Sequence, residues 1–85
     1  MPKLKVKRDR NEIFAQILKL CVKPTPKTRI MYQTNISYDN LLKLLKQLEN
    51  YGLLILEKDS RKYATTCKGQ EYITRWAALQ ELLEA

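Results

Sequence analysis

Apolar residues recur at intervals of three and four from the start of the chain. Ile13, Phe14, Ile17, Leu18 and Cys21 form one stripe, which predicts a first helix over residues 9–22. Asp9 is its expected cap, with Glu12 three residues on in the capping-box position. Lys23-Pro24-Thr25-Pro26 ends it, because proline biases the residue before it away from helix. Thr25 is then expected to cap a second helix over 26–34, with Pro26 at the first position, where a missing N–H does no harm. Ile30 and Met31 face inward, Tyr32 lies at the edge, and Asn35 is a natural left-handed stop. A third helix is expected over 37–51, capped by Ser37, with Asp39 where the helix dipole favours an anion and Ile36 stapled onto Leu41. Its buried face reads Leu41, Leu42, Leu45, Leu48 and Tyr51, with Leu44 on the border and Gly52 as the left-handed residue after it.

The period then changes. Leu53–Glu57 and Lys62–Thr66 read as two short strands around a Lys58-Asp59-Ser60-Arg61 tip, a hairpin over 53–66. An isolated hairpin is marginal in water, so it needs the leucine-rich helix before it as a partner surface. Thr66 is the expected cap of a last helix over 67–84, and Gly69 falls in its first turn, where a side chain would obstruct close approach to a neighbour. Only Asn35 and Ile36 separate the second and third helices, which fits a helix-turn-helix bend. The expected fold is mainly α with a small β-hairpin (α+β), a winged helix-turn-helix: a three-helix core, a two-stranded wing and a C-terminal dimerisation helix. Residues 1–85 read as one domain without internal repeats, with 1–8 as a basic N-terminal arm.

Composition sharpens this outline. A chain of 85 residues with 45% hydrophobic content is one small, marginally self-sufficient domain. Its net charge of +7 favours an anionic partner. Lys3, Lys5, Lys7, Arg8 and Arg10 against Asp9 leave +4 in the first ten residues, whereas Arg75 against Glu71, Glu81 and Glu84 leaves −2 from Gly69 onward. Such asymmetry suits a nucleic-acid face opposite an assembly face. For the arm itself two readings stand side by side, a DNA-contacting segment and a solvated tail. No apolar run is long enough to span a bilayer and no signal peptide follows the basic start, so the expected setting is cytoplasmic and nucleoid-associated. Two cysteines and no histidine exclude a four-ligand Cys/His zinc site. Cys21 and Cys67 read as small core residues, a disulfide between them being the alternative in a hyperthermophile.

Two segments carry a family resemblance: TRIMYQTNISYDNLLKLLKQLENYGLL (Thr28 to Leu54) and YATTCKGQEYI (Tyr63 to Ile73). They resemble the small archaeal winged-helix DNA-binding domains, related in shape to the PadR and MarR regulators. The second segment is similar to that family's strand-to-helix pattern of Tyr, Thr, any residue, Lys, Gly and then Tyr or Leu. Thr65 departs from it where a larger apolar residue is usual, and the wing is short. The resemblance implies DNA binding and dimers formed through the last helix.

The residues that would carry such a function divide by chemistry. The polar stripe of the third helix holds Asp39, Asn40, Lys43, Lys46, Gln47 and Asn50. Asn and Gln pair with adenine, and Lys reaches guanine or phosphate, when such a helix enters the major groove. Tyr38, Asn40, Lys43 and Gln47 are therefore the candidate base contacts. Lys27, Thr28 and Arg29 at the start of the second helix, Lys46, and Lys58, Arg61 and Lys62 of the wing are the candidate backbone contacts. Tyr72, Trp76, Leu79, Leu82 and Leu83 make up the candidate dimer interface, a seam spaced four, three and four in Tyr72, Trp76, Leu79 and Leu83. Own-domain packing is the reading for Tyr72 and Ile73. The expected partners are double-stranded DNA and a second copy, with no membrane. Without a nucleophile–base pair or a phosphate loop, no enzyme and no cofactor are expected. The alternatives are a protein-interaction module, a MarR-like ligand sensor and an RNA binder. The polar, basic helix face, the short chain and the scattered tyrosines argue against them in turn.

Overall fold

A computed structural model describes residues 9–84, so the basic arm over 1–8 lies outside the described residues. The order is α1 (Arg10–Leu20), β1 (Thr25–Pro26), α2 (Lys27–Thr34), α3 (Tyr38–Asn50), β2 (Leu54–Glu57), β3 (Lys62–Thr65) and α4 (Cys67–Leu83). Local chemistry sets most of these boundaries. The Asp9 carboxylate accepts from the Glu12 N–H at 2.9 Å, and the Ser37 hydroxyl from the Asn40 N–H at 3.4 Å. Asn35 (φ 57°) and Gly52 (φ 78°) take the left-handed conformation that stops α2 and follows α3. The first helix is shorter than the stripe implied: it stops at Leu20, Cys21 is its C-cap, and Val22 is exposed.

Thr25 is not the cap of α2. Its hydroxyl donates to the carbonyls of Lys23 at 2.7 Å and Leu20 at 3.0 Å, and Pro26 occupies the N-cap position without a side-chain hydrogen bond. Thr25 instead belongs to a strand that the sequence did not reveal. β1 pairs antiparallel with β3, Thr25 opposite Tyr63 and Pro26 opposite Lys62, so the expected two-stranded wing is part of a three-stranded sheet of order β1-β3-β2. Across the hairpin Leu54 faces Thr65, Leu56 faces Tyr63, and Glu57 faces Lys62. The first wing strand starts at Leu54, with Leu53 a buried residue just before it.

One core joins all layers: Phe14, Ile17 and Leu18 from α1 with Cys21 at its C-cap, Ile30 from α2, Leu41, Leu45 and Leu48 from α3, then Leu53, Leu54 and Tyr63. Each fully buried aliphatic side chain contributes about 1.5–3 kcal/mol. Tyr51, expected in this core, is half exposed and meets Phe14 edge-on, with ring centroids 6.3 Å apart. Cys67, also read as a core residue, is exposed at the first position of α4, and both cysteines are free thiols. Thr65, the departure from the family pattern, ties β3 to the end of α1: its hydroxyl donates to the Leu18 carbonyl at 2.7 Å and its N–H to the Cys21 carbonyl at 2.9 Å. A larger apolar residue there would leave the Leu18 carbonyl without this donor.

Candidate functional site

The tight stop at Asn35 sets α3 across the front of the molecule. At about 100° per residue, Asp39, Lys43, Lys46 and Asn50 lie opposite Leu41, Leu45 and Leu48, and all four are exposed. Asn40 and Gln47 fall on the flank toward α1. Tyr38, half-buried Leu42 and Glu49 fall on the flank toward the wing. The candidate residues therefore gather in two places rather than one.

The first is a cleft of about 440 Å³ between α1 and α3, lined among others by Arg10, Asn40, Lys43 and Gln47. Arg10, part of the basic start of the chain in sequence, is brought by α1 beside the polar flank of α3. Its guanidinium lies over the Phe14 ring, 5.3 Å from the centroid. Gln47 departs from an outward-reading residue: its carbonyl oxygen is buried and has no hydrogen-bond partner. An unpaired buried acceptor of this kind costs about 1–3 kcal/mol.

The second place is the junction of α2 and the wing, a cleft of about 420 Å³ lined by Lys27, Leu56, Lys58, Arg61 and Tyr63. Lys27 donates to the Tyr38 hydroxyl at 3.3 Å, which joins the start of α3 to this group. Burial pushes the Tyr63 phenol above its ordinary value, Glu49 adds to the shift, and the Lys27 ammonium opposes it. At the wing tip the Arg61 N–H closes onto the Glu57 carbonyl at 2.7 Å, holding Arg61 at φ 59°. Ser60 donates to the Glu57 carboxylate at 3.0 Å, so Glu57 is engaged within the turn. Thr28, Arg29 and Lys62 are exposed, and Lys62 opposes Glu57 across the hairpin.

The last helix leaves the domain as it proceeds. Thr66 caps it, accepting from the Gly69 N–H at 3.0 Å. Tyr72 donates to the Asn11 carbonyl at 3.1 Å, and burial raises its phenol, assisted by Asp9 and opposed by Arg10. Trp76 is half-buried, with the Lys19 ammonium 5.1 Å from its ring centroid. Beyond it Leu79, Leu82 and Leu83 are 52%, 76% and 72% exposed. Tyr72 and Trp76 thus pack in part on their own α1, while Leu79 is only half covered and Leu82 and Leu83 are largely bare. No helix among the described residues is long and apolar enough to cross a membrane.

The sequence pattern of a family described as winged helix-turn-helix matches residues 7–84. Among solved structures, the chain is similar to the crystal structure of Sso10a-2, a DNA-binding protein from Sulfolobus solfataricus. The two share 32% identity with a TM-score of 0.80, over 91% of this chain and 83% of that one. No curated protein matches the chain.

Proposed function

The chain belongs to the winged helix-turn-helix family, and on that premise we propose that it binds double-stranded DNA as a dimeric, chromosome-associated or regulatory protein rather than an enzyme. α3 enters the major groove, with Lys43 and Asn40 at base edges, Tyr38 and Gln47 at the flanks, and Lys46 at a phosphate. Lys27, Thr28 and Arg29 hold one backbone strand, and Lys58, Arg61 and Lys62 hold another. The observation that carries this reading is the solvent-facing row of Lys43, Lys46 and Asn50 on α3, beside a basic wing and opposite an apolar core. The likeness to Sso10a-2, itself described as DNA-binding, supports it.

The second copy pairs through the distal half of α4. The Trp76, Leu79 and Leu83 stripe continues the line along which Tyr72 meets α1, so its exposed end matches a two-fold helix contact. Such a dimer presents two α3 helices to a palindromic site. The archaeal source of the similar structure and the resemblance to PadR and MarR regulators favour an archaeal, nucleoid-associated role. The test is a titration of duplex DNA across salt concentrations. A complex whose log affinity falls linearly with log salt is expected, with Lys46→Ala lowering that slope by about one contact. Absence of a salt-dependent duplex complex would overturn the reading.

A further inference from the structure

The cleft between α2 and the wing is more than a basic patch. Three cations converge on it, Lys27, Lys58 and Arg61, and none of them makes an ion pair among the described residues. Between them lies apolar surface. Leu56 is 41% exposed on the sheet face it shares with Tyr63, and Tyr38, tethered at the margin by Lys27, is 48% exposed. The phosphate backbone of a duplex complements the cations but presents no base face to an exposed leucine and a tyrosine ring, because its base faces are stacked inside. An unpaired nucleotide carries both complements, an anionic phosphate and a bare aromatic face. The volume of about 420 Å³ falls within the range of sites that enclose a small ligand.

We propose that this cleft seats one unpaired nucleotide of single-stranded DNA, its base against Leu56 and Tyr38 and its phosphate among Lys27, Lys58 and Arg61. The scattered tyrosines of the sequence argued against any stacking surface, but the fold alters that. Tyr38, half exposed, is joined by its hydrogen bond to Lys27, which lines the cleft with Leu56, while Tyr63, far from it in the chain and buried, forms part of the lining beneath. Acidic groups are nearby but otherwise engaged or displaced: Glu57 accepts from Ser60 and faces Lys62, Asp59 sits at the exposed tip, and Glu49 lies on the Tyr63 side. With this seat, the protein would hold gapped, frayed or branched DNA more tightly than an intact duplex of the same length. The seat rests on the same cations as the proposed duplex grip, but Leu56 belongs to the seat alone, so a loss confined to Leu56→Ala separates the failure of the seat from the failure of duplex binding.

The test measures binding of the full chain to a fluorescent oligothymidylate of about ten nucleotides, to an abasic oligonucleotide with the same number of phosphates, to the matching oligouridylate, and to a duplex. The expected result is oligothymidylate binding at least about fivefold tighter than abasic binding. Leu56→Ala should erase most of that difference while duplex affinity stays within about twofold, and Tyr38→Ala should erase it too while also weakening the duplex complex in which α3 takes part. The duplex arm also reports whether Leu56→Ala is folded, and thermal melting does so for Tyr38→Ala and wherever duplex binding is absent. Equal affinity for the abasic strand would show attraction to phosphate alone and overturn the seat. So would an undiminished preference in both folded variants, and tighter binding of oligouridylate would assign the cleft to RNA instead.

Discussion

The Thr66 hydroxyl donates to the Gly52 carbonyl at 2.7 Å while accepting from the Gly69 N–H. A single oxygen thus joins the stop after α3 to the cap of α4, fourteen residues apart. Lys68 adds a second tie, its ammonium donating to the Tyr51 carbonyl at 2.8 Å. Thr66→Ala should lose both bonds of the hydroxyl and cost about 1–2 kcal/mol in urea unfolding, whereas Thr66→Ser should retain most of the stability.

Gly69 is required for a steric reason. A β-carbon there would overlap the Leu53 carbonyl oxygen and lie 2.6 Å from the Thr65 methyl group. The oxygen belongs to backbone that also accepts from the Thr66 N–H at 3.1 Å, so it cannot give way cheaply. Gly69→Ala should therefore destabilise by about 3 kcal/mol, despite alanine's better helix propensity, and thermal melting will read it.

The buried Cys21 thiol makes stability depend on alkaline pH. Burial pushes it up to about 12 from an ordinary 9.0. Above pH 9 the unfolded chain releases this proton while the folded chain keeps it. The unfolded state then binds fewer protons, and stability falls as pH rises, by about 1.4 kcal/mol per pH unit up to the folded value. Urea midpoints between pH 8 and 11 should therefore fall more steeply for the wild type than for Cys21→Ala. Parallel slopes would assign the alkaline loss to other groups. Neutral alkylation of the native protein should modify the exposed Cys67 and spare Cys21.

Arg61 calls for a particular substitution. Because it holds φ 59°, Arg61→Ala would remove the charge and also strain the turn. Arg61→Asn removes the charge with a residue that tolerates the left-handed conformation. On the proposed function, it should weaken duplex binding about equally across sequences, lower the salt slope by about one, and leave the melting temperature close to that of the wild type. An unchanged affinity in a salt titration would take the wing off the DNA.

Dimerisation rests on the bare end of α4. The double variant Leu79→Ser/Leu83→Ser changes residues already more than half exposed, so the domain should keep its core. Sedimentation should show a shift from dimer to monomer at micromolar concentration, accompanied by weaker binding to palindromic duplexes. A wild-type monomer at the same concentration would remove the dimer from the proposal.

These elements were not equally legible in the chain. The caps at Asp9, Ser37 and Thr66 and the stops at Asn35 and Gly52 could be read because each depends on bonds or dihedrals within a few residues. The close approach at Gly69 could be read because the helix around it has no other use for a glycine. β1 could not: two residues carry no periodicity, and the strand exists only because Tyr63 and Lys62 come alongside it. Thr25 misled for the same reason, since its cap-like hydroxyl turns back to carbonyls at the end of α1. Within the candidate site, helical spacing placed Lys43 and Lys46 on the exposed face. The inward carbonyl of Gln47, the proximity of Arg10 to it, and the Lys27–Tyr38 bond are products of packing between elements, which no single periodicity encodes.

Pro26 is at once the last residue of β1 and the N-cap of α2, so no linker separates sheet from helix. The wing is hydrogen-bonded to β1 through β3, and β1 runs straight into α2. The distance between the two outer jaws of the proposed grip, Arg61 on one and Arg29 on the other, is thereby fixed like the opening of a caliper. If the jaws cannot spread, a duplex whose groove does not match the gauge must bend or twist to enter, and its sequence determines how costly that is.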